Sequence, residues 1–159
     1  MADLTSALQA HATRFRRDRG SGLRADARAA GDEAIDRLIA WSAAHAAALV
    51  DRGPEGVEPA FGVVPAGGVA SVWRVYPRQG DGGKVALLPM AEHYLTQGER
   101  ATLVRELERL HPGRRIGAGQ RLELGLPRLA RDTVWAAFVP LLDLALATAA
   151  GAQNGGPAT

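Results

Sequence analysis

The hydrophobic residues of this chain recur about every 3.6 positions in its first third and about every 2 from residue 60 onward. In the first third, Leu4, Leu8, His11, Ala12 and Phe15 fall on one helical face, and Asp3 stands where an N-cap belongs. Ile35, Leu38, Ile39, Ala46 and Leu49 repeat the helical spacing, with the small polar Ser42 inside the same stripe, until Arg52-Gly53-Pro54 stops it. The alternating region that follows predicts strands at Phe61–Val64, Val69–Tyr76 and Lys84–Leu88, separated by Pro65-Ala66-Gly67-Gly68 and by a tight Asp81-Gly82 hairpin.

Helical spacing then returns. Thr96 and Glu99 form the capping-box pair that satisfies the free N–H groups of a helix start, and Leu103, Val104, Leu107 and Leu110 make its apolar face. Arg121 to Leu126 alternates again, which predicts a fourth strand with its leucines on the core, and a last helix is expected from about Asp132 to Ala150. The expected fold is therefore α+β: a four-stranded, mainly antiparallel sheet in the order helix, helix, three-strand meander, helix, strand, helix, with helices mainly on one face. Residues 1–150 form one domain in this reading, and 151–159, rich in Gly, Ala and Pro, form a flexible tail.

Composition narrows the chemistry. With no cysteine among 159 residues, disulfides, thiolate metal sites and a cysteine nucleophile are excluded. The four histidines, His11, His45, His93 and His111, show no i,i+4 pair, and no metal or cofactor is implied. Gly80-Asp81-Gly82-Gly83-Lys84 lacks the spacing and following helix of a phosphate loop, and no serine sits in a Gly-x-Ser-x-Gly elbow. The meander order resembles the core order of metal-dependent nucleases in topology alone. Their chemistry needs carboxylates on the second and third strands, and Lys84 to Pro89 has none. No basic leader with an apolar stretch and no run of roughly 18 apolar residues is visible, so the expectation is a bacterial cytoplasmic protein without membrane attachment.

Arginine supplies 18 of the 19 basic residues, and charge is uneven along the chain: +3 over 1–28, −3 over 29–104, +4 over 105–131 and −2 beyond. Three sets of candidate residues follow. Arg74, Tyr76 and Arg78 alternate on one face of the hairpin and, with Arg14, Arg16, Arg17, Arg114 and Arg115, could engage nucleic acid by stacking and by neutralising phosphates. Trp135, Val139, Leu142 and Leu146 form a second apolar stripe on the last helix, beside the core-facing Val134, Phe138, Leu141 and Ala145, and are interface candidates. Glu92, His93 and Tyr94 bring an acid, an imidazole and a phenol together in one loop, where general acid–base work is conceivable. The leading expectation is a non-catalytic binding or accessory module that engages a protein partner or a second copy of itself. Nucleic-acid binding is the runner-up, and a small enzyme acting through the His93 loop is third.

Overall fold

The computed structural model describes residues 3–18, 24–54, 56, 58–77 and 82–155. Helices α1 (Leu4–Asp18) and α2 (Ala25–Ala44) come first, followed by strands β1 (Leu49–Arg52), β2 (Phe61–Pro65), β3 (Trp73–Tyr76) and β4 (Lys84–Leu87). Helix α3 (Gln97–Leu110), strand β5 (Leu122–Gly125) and helix α4 (Asp132–Gly155) complete the order, with short 3₁₀ turns at Glu92–Tyr94 and Leu126–Ala130. The fold is α+β. Its five strands lie side by side in chain order, every neighbouring pair antiparallel.

Strand register sorts the side chains into two faces. Val63, Trp73, Leu87 and Leu122 form one row and Phe61, Val75, Val85 and Leu124 the next, and all eight are buried. Helix α1 packs here through Phe15, which meets Phe61 edge-on at 5.9 Å between ring centroids, and Phe61 meets Trp73 in the same way at 5.9 Å. The Trp73 indole N–H needs an acceptor once it leaves water. It donates to Ser42 Oγ at 3.0 Å, and Ser42 Oγ donates in turn to Leu38 O at 2.9 Å, which explains a serine inside the apolar stripe of α2. Val134, Phe138, Leu141, Ala145 and Ala149 bring α4 into the same cluster. Arg37 pairs with Asp132, and the Trp41 indole N–H donates to Asp143 Oδ1 at 3.4 Å, tying α4 to α2.

The sheet has five strands rather than the expected four. Leu49 to Arg52, taken from its spacing as the end of the second helix, is the edge strand β1, paired with β2 from Leu49↔Pro65 to Arg52↔Gly62. Leu49 is buried in either arrangement, and four residues are too few to display alternation. The helix ends early because His45 Nδ1 donates to Trp41 O at 2.8 Å, satisfying a terminal carbonyl that a continuing turn would have used. The capping box at Thr96 and Glu99 is present, with reciprocal bonds of 3.1 and 2.9 Å.

The β3–β4 connection also differs from a two-residue hairpin. Pairing runs from Trp73↔Leu87 to Tyr76↔Lys84, so the link spans 77–83, of which Arg78 and Asp81 lie outside the described residues. Gly83, at φ 98°, passes close to the backbone of β3, and a Cβ there would come within 2.6 Å of Tyr76 O. The register is displaced by three residues from that of an Asp81-Gly82 turn. An odd shift exchanges the faces of β4, so Val85 and Leu87 share Trp73's side and Ala86 lies opposite Arg74.

On the other face, Arg74, a candidate for engaging nucleic acid, does not meet solvent. It is only 7% exposed, and its Nη2 donates to Ala60 O at 3.0 Å and Gly53 O at 3.4 Å, the described residues just before β2 and just after β1. On α4, Leu142 is fully buried in the chain's own core and leaves the set of interface candidates, whereas Trp135, Val139 and Leu146 pack against that core half-buried. Helix α4 continues to Gly155, past the residue at which the tail was expected to begin. By length and composition alone, Asp132–Ala152 is apolar enough to cross a membrane, with mean hydropathy 1.7 and 33% of the window buried. A count of uninterrupted apolar residues had not indicated this, because Asp143 divides the run.

Candidate functional site

Among the described residues, two concave sites gather charged or ring-bearing side chains. The first, about 350 Å³, draws together residues from two of the sequence-derived sets: Arg74 and Tyr76 from β3, and His93 and Tyr94 from the 3₁₀ turn after β4. Arg52 and Ser71 share its wall, and Val69 and Met90 stand at its mouth. The rings of His93 and Tyr94 lie 4.2 Å apart, and the Arg121 guanidinium sits 4.7 Å above the Tyr76 ring in a cation–π contact. Glu92 does not join them. Its Oε1 accepts the Leu122 N–H at 2.8 Å, closing off the start of β5, so the acid of the expected trio has a structural use on the far side of its turn.

Val69 and Met90 are 83% and 86% exposed, the two largest values among the exposed large apolar side chains described. Neither sits on a loose loop. Arg52 Nη1 donates to Val69 O at 3.1 Å and to Ser71 Oγ at 3.4 Å, fastening the segment that carries Val69. Met90 occupies the third position of the turn Leu88–Ala91, closed by Ala91 N–H donating to Leu88 O at 2.9 Å. Pro89 fixes the second position near φ −65°, and Met90 itself has φ 65°, which together define a type II turn.

The second site, about 650 Å³, lies where the first turn of α2, the start of β4, the turn after α3 and the Leu126–Ala130 turn meet. Arg24, Lys84, Arg114, Arg128 and Arg131 line it together with His111 and Asp26. Lys84 Nζ and Arg114 Nη2 share one oxygen of Glu123, at 3.3 and 2.9 Å, and Arg24 pairs with Asp26 at 3.3 Å. Arg128 Nη1 reaches Leu110 O at 3.4 Å, at the end of α3. Burial, reinforced by the positive charges of Arg128, Arg114 and Lys84, holds the His111 imidazole below its ordinary pKa.

The basic residues singled out along the sequence are divided by the fold. Arg16 makes ion pairs with Asp36 at 2.8 Å and Asp32 at 3.3 Å on α2, and Arg14 and Arg17 share its helix; none of the three lines either site. Arg114 enters the second site. Arg115 is exposed beside it, with its Nη1 turned to Arg114 O at 3.3 Å. Arg24, Lys84, His111, Arg128 and Arg131 were not singled out. The excess of arginine over 105–131 was the available signal for three of this basic set, counting Arg114, but nothing local ties Arg24 or Lys84 to them. Among the described residues, no group of three or more His, Asp or Glu side chains is placed to hold a metal ion. No protein-family model, curated protein or solved structure matches the chain.

Proposed function

We propose that this protein is a non-catalytic binding module that engages a protein partner, with the pocket between Val69 and Met90 as the docking point. The observation that carries the reading is the conformation of Met90. A left-handed backbone costs an L-residue about 1–2 kcal/mol, and strain of this kind in a native structure is grounds for a functional hypothesis. The molecule contains a control. The turn Pro65–Gly68 is closed by the same bond, Gly68 N–H to Pro65 O at 2.8 Å, and places Gly67 at its third position with φ 78°. There the chain uses the residue that such a turn favours. At Met90 it carries instead a long, flexible and adaptable thioether side chain directed at solvent, a type of residue common on surfaces that accommodate a partner's apolar side chain. Leu88, at φ 49° and before a proline, adds to the strain of the same turn.

The test separates stability from binding. Met90→Gly should raise stability by about 0.5–1 kcal/mol, the relief of strain less the added entropy of the unfolded chain. The same substitution should diminish what co-purifies with the tagged protein from its native extract. A variant that melts lower than the parent, or that retains its bound proteins undiminished, would refute the docking role of Met90.

The nucleic-acid reading draws on the cationic lining of the second site and on the Tyr76–Arg121 contact. An electrophoretic shift with generic DNA and RNA at two salt concentrations tests it, since phosphate neutralisation weakens steeply as salt rises.

A further inference from the structure

We propose that the cationic site bounded by α2, β4 and the turns after α3 and β5 binds a small ligand through a diphosphate group. The inference goes beyond partner docking and rests on different residues. Among the described residues, Arg24, Lys84, Arg114, Arg128 and Arg131 contribute five positive charges, and Asp26 and Glu123 contribute two negative ones, a balance of 5 − 2 = +3. Among the described residues, the excess is concentrated at one wall: Arg128 donates to the Leu110 carbonyl and makes no ion pair, and Arg131 makes none either. Two buried nitrogens of the lining, His111 Nδ1 and Arg114 Nε, have no hydrogen-bond partner.

Size and lining choose among anions. About 650 Å³ lies within the range of sites that enclose a small molecule. Ala27, Ala30, Gly83 and Gly125 keep the walls low, so a ligand can reach the guanidinium groups and the backbone together. A single carboxylate would leave most of the charge uncompensated, whereas a diphosphate brings two to three negative charges and the oxygen geometry that arginine forks match in pairs. A nucleic-acid strand fits less well. Among the described residues, no phenylalanine, tyrosine or tryptophan ring lines the site to stack a base, and Arg14, Arg16 and Arg17 are not part of its lining.

The experiment is titration calorimetry of the full chain with sodium pyrophosphate, alongside orthophosphate, sulfate and a short single-stranded oligonucleotide. Pyrophosphate should bind once per chain and more tightly than orthophosphate or sulfate. Removing both Arg128 and Arg131 as glutamines should weaken it by about tenfold or more, on the scale of a lost charge-assisted hydrogen bond. Arg105→Gln, on the exposed side of α3, should not. In proton NMR, saturation should raise the pKa of the His111 ring, because the anion offsets the Arg128, Arg114 and Lys84 charges that hold it down. If the double variant melts lower than the parent, the exposed Arg131→Gln alone decides the point. No binding of pyrophosphate in the millimolar range, equal binding by the arginine variants, or an unmoved His111 would overturn the proposal. So would an oligonucleotide that binds more tightly than pyrophosphate and dissociates as salt rises.

Discussion

Trp73 and Arg74 are neighbours on one strand, both are buried, and what buries them differs. Trp73 lies beneath α2, in contact with Phe61 and bonded to Ser42. Arg74 is buried against Gly53 and Ala60, bonded from its own guanidinium to their backbone carbonyls. One face is covered because it is apolar. The other is covered because a cation on the strand satisfies backbone carbonyls that would otherwise be buried without partners. Alternation in a sequence therefore states which side a residue faces, and says nothing about what will lie over that side.

The largest effect expected is on the helical cover. Trp73→Ala should destabilise the protein by about 3–5 kcal/mol through the cavity it leaves, and chemical denaturation should show one transition moved to lower denaturant. Amide exchange should accelerate across α1, α2 and the sheet together, because the residue belongs to the continuous core. A smaller and more local effect is expected on the other face. Arg74→Met keeps the bulk and removes the donors, so it should cost about 1.5–3 kcal/mol. Faster exchange should be concentrated in residues 58–62, which lie on and beside the bonded carbonyl of Ala60. If Arg74→Met loosened α2 as much as β2, the two covers would not be separable units and the contrast would fail.

The smallest effect concerns pH. The polar side of the sheet carries Lys84 and Glu123 and adjoins His111, whereas the Trp73 side is closed by apolar contacts. With its folded pKa depressed, His111 takes up a proton more readily in the unfolded chain. Its contribution is therefore intact above about pH 6.5 and is lost as pH falls from there through the folded value. Stability should decline over that interval in the parent and decline less in His111→Gln, followed by urea denaturation at stepped pH. Identical slopes would show that the imidazole does not sense its basic surroundings.

The apolar half of the molecule was largely legible. The leucines of β5, the core stripe of α4 and the start of α3 follow from spacing and from one capping pair, and all are local signals. What could not be read depends on residues far apart in the chain. Leu49 satisfies a helix or an edge strand equally, and only pairing with β2 decides between them. Leu142 was placed one stripe away from the core, but α4 presents enough of its circumference to the sheet and α2 to bury it. The diphosphate site is the extreme case: Arg24, Lys84 and Arg128 come from three separate regions, and their meeting is a property of the tertiary fold. The Met90 turn was hidden for another reason. A proline followed by methionine carries no turn signal of the kind that glycine or asparagine supplies at that position.

The sequential order of the strands also has a consequence for the chain during synthesis. Every strand pairs with its neighbour in sequence, so β1 to β4 can zip together over short loops as soon as they emerge, at little entropic cost for each closure. Helix α4 follows all five strands in the chain. Until it leaves the ribosome, the apolar surface that Phe138, Leu141 and Leu142 will cover stays open to water, on a sheet already able to form. The nascent protein therefore passes through an interval in which its sheet can be hydrogen-bonded while its apolar burial is incomplete, and it is then most exposed to aggregation and to capture by chaperones.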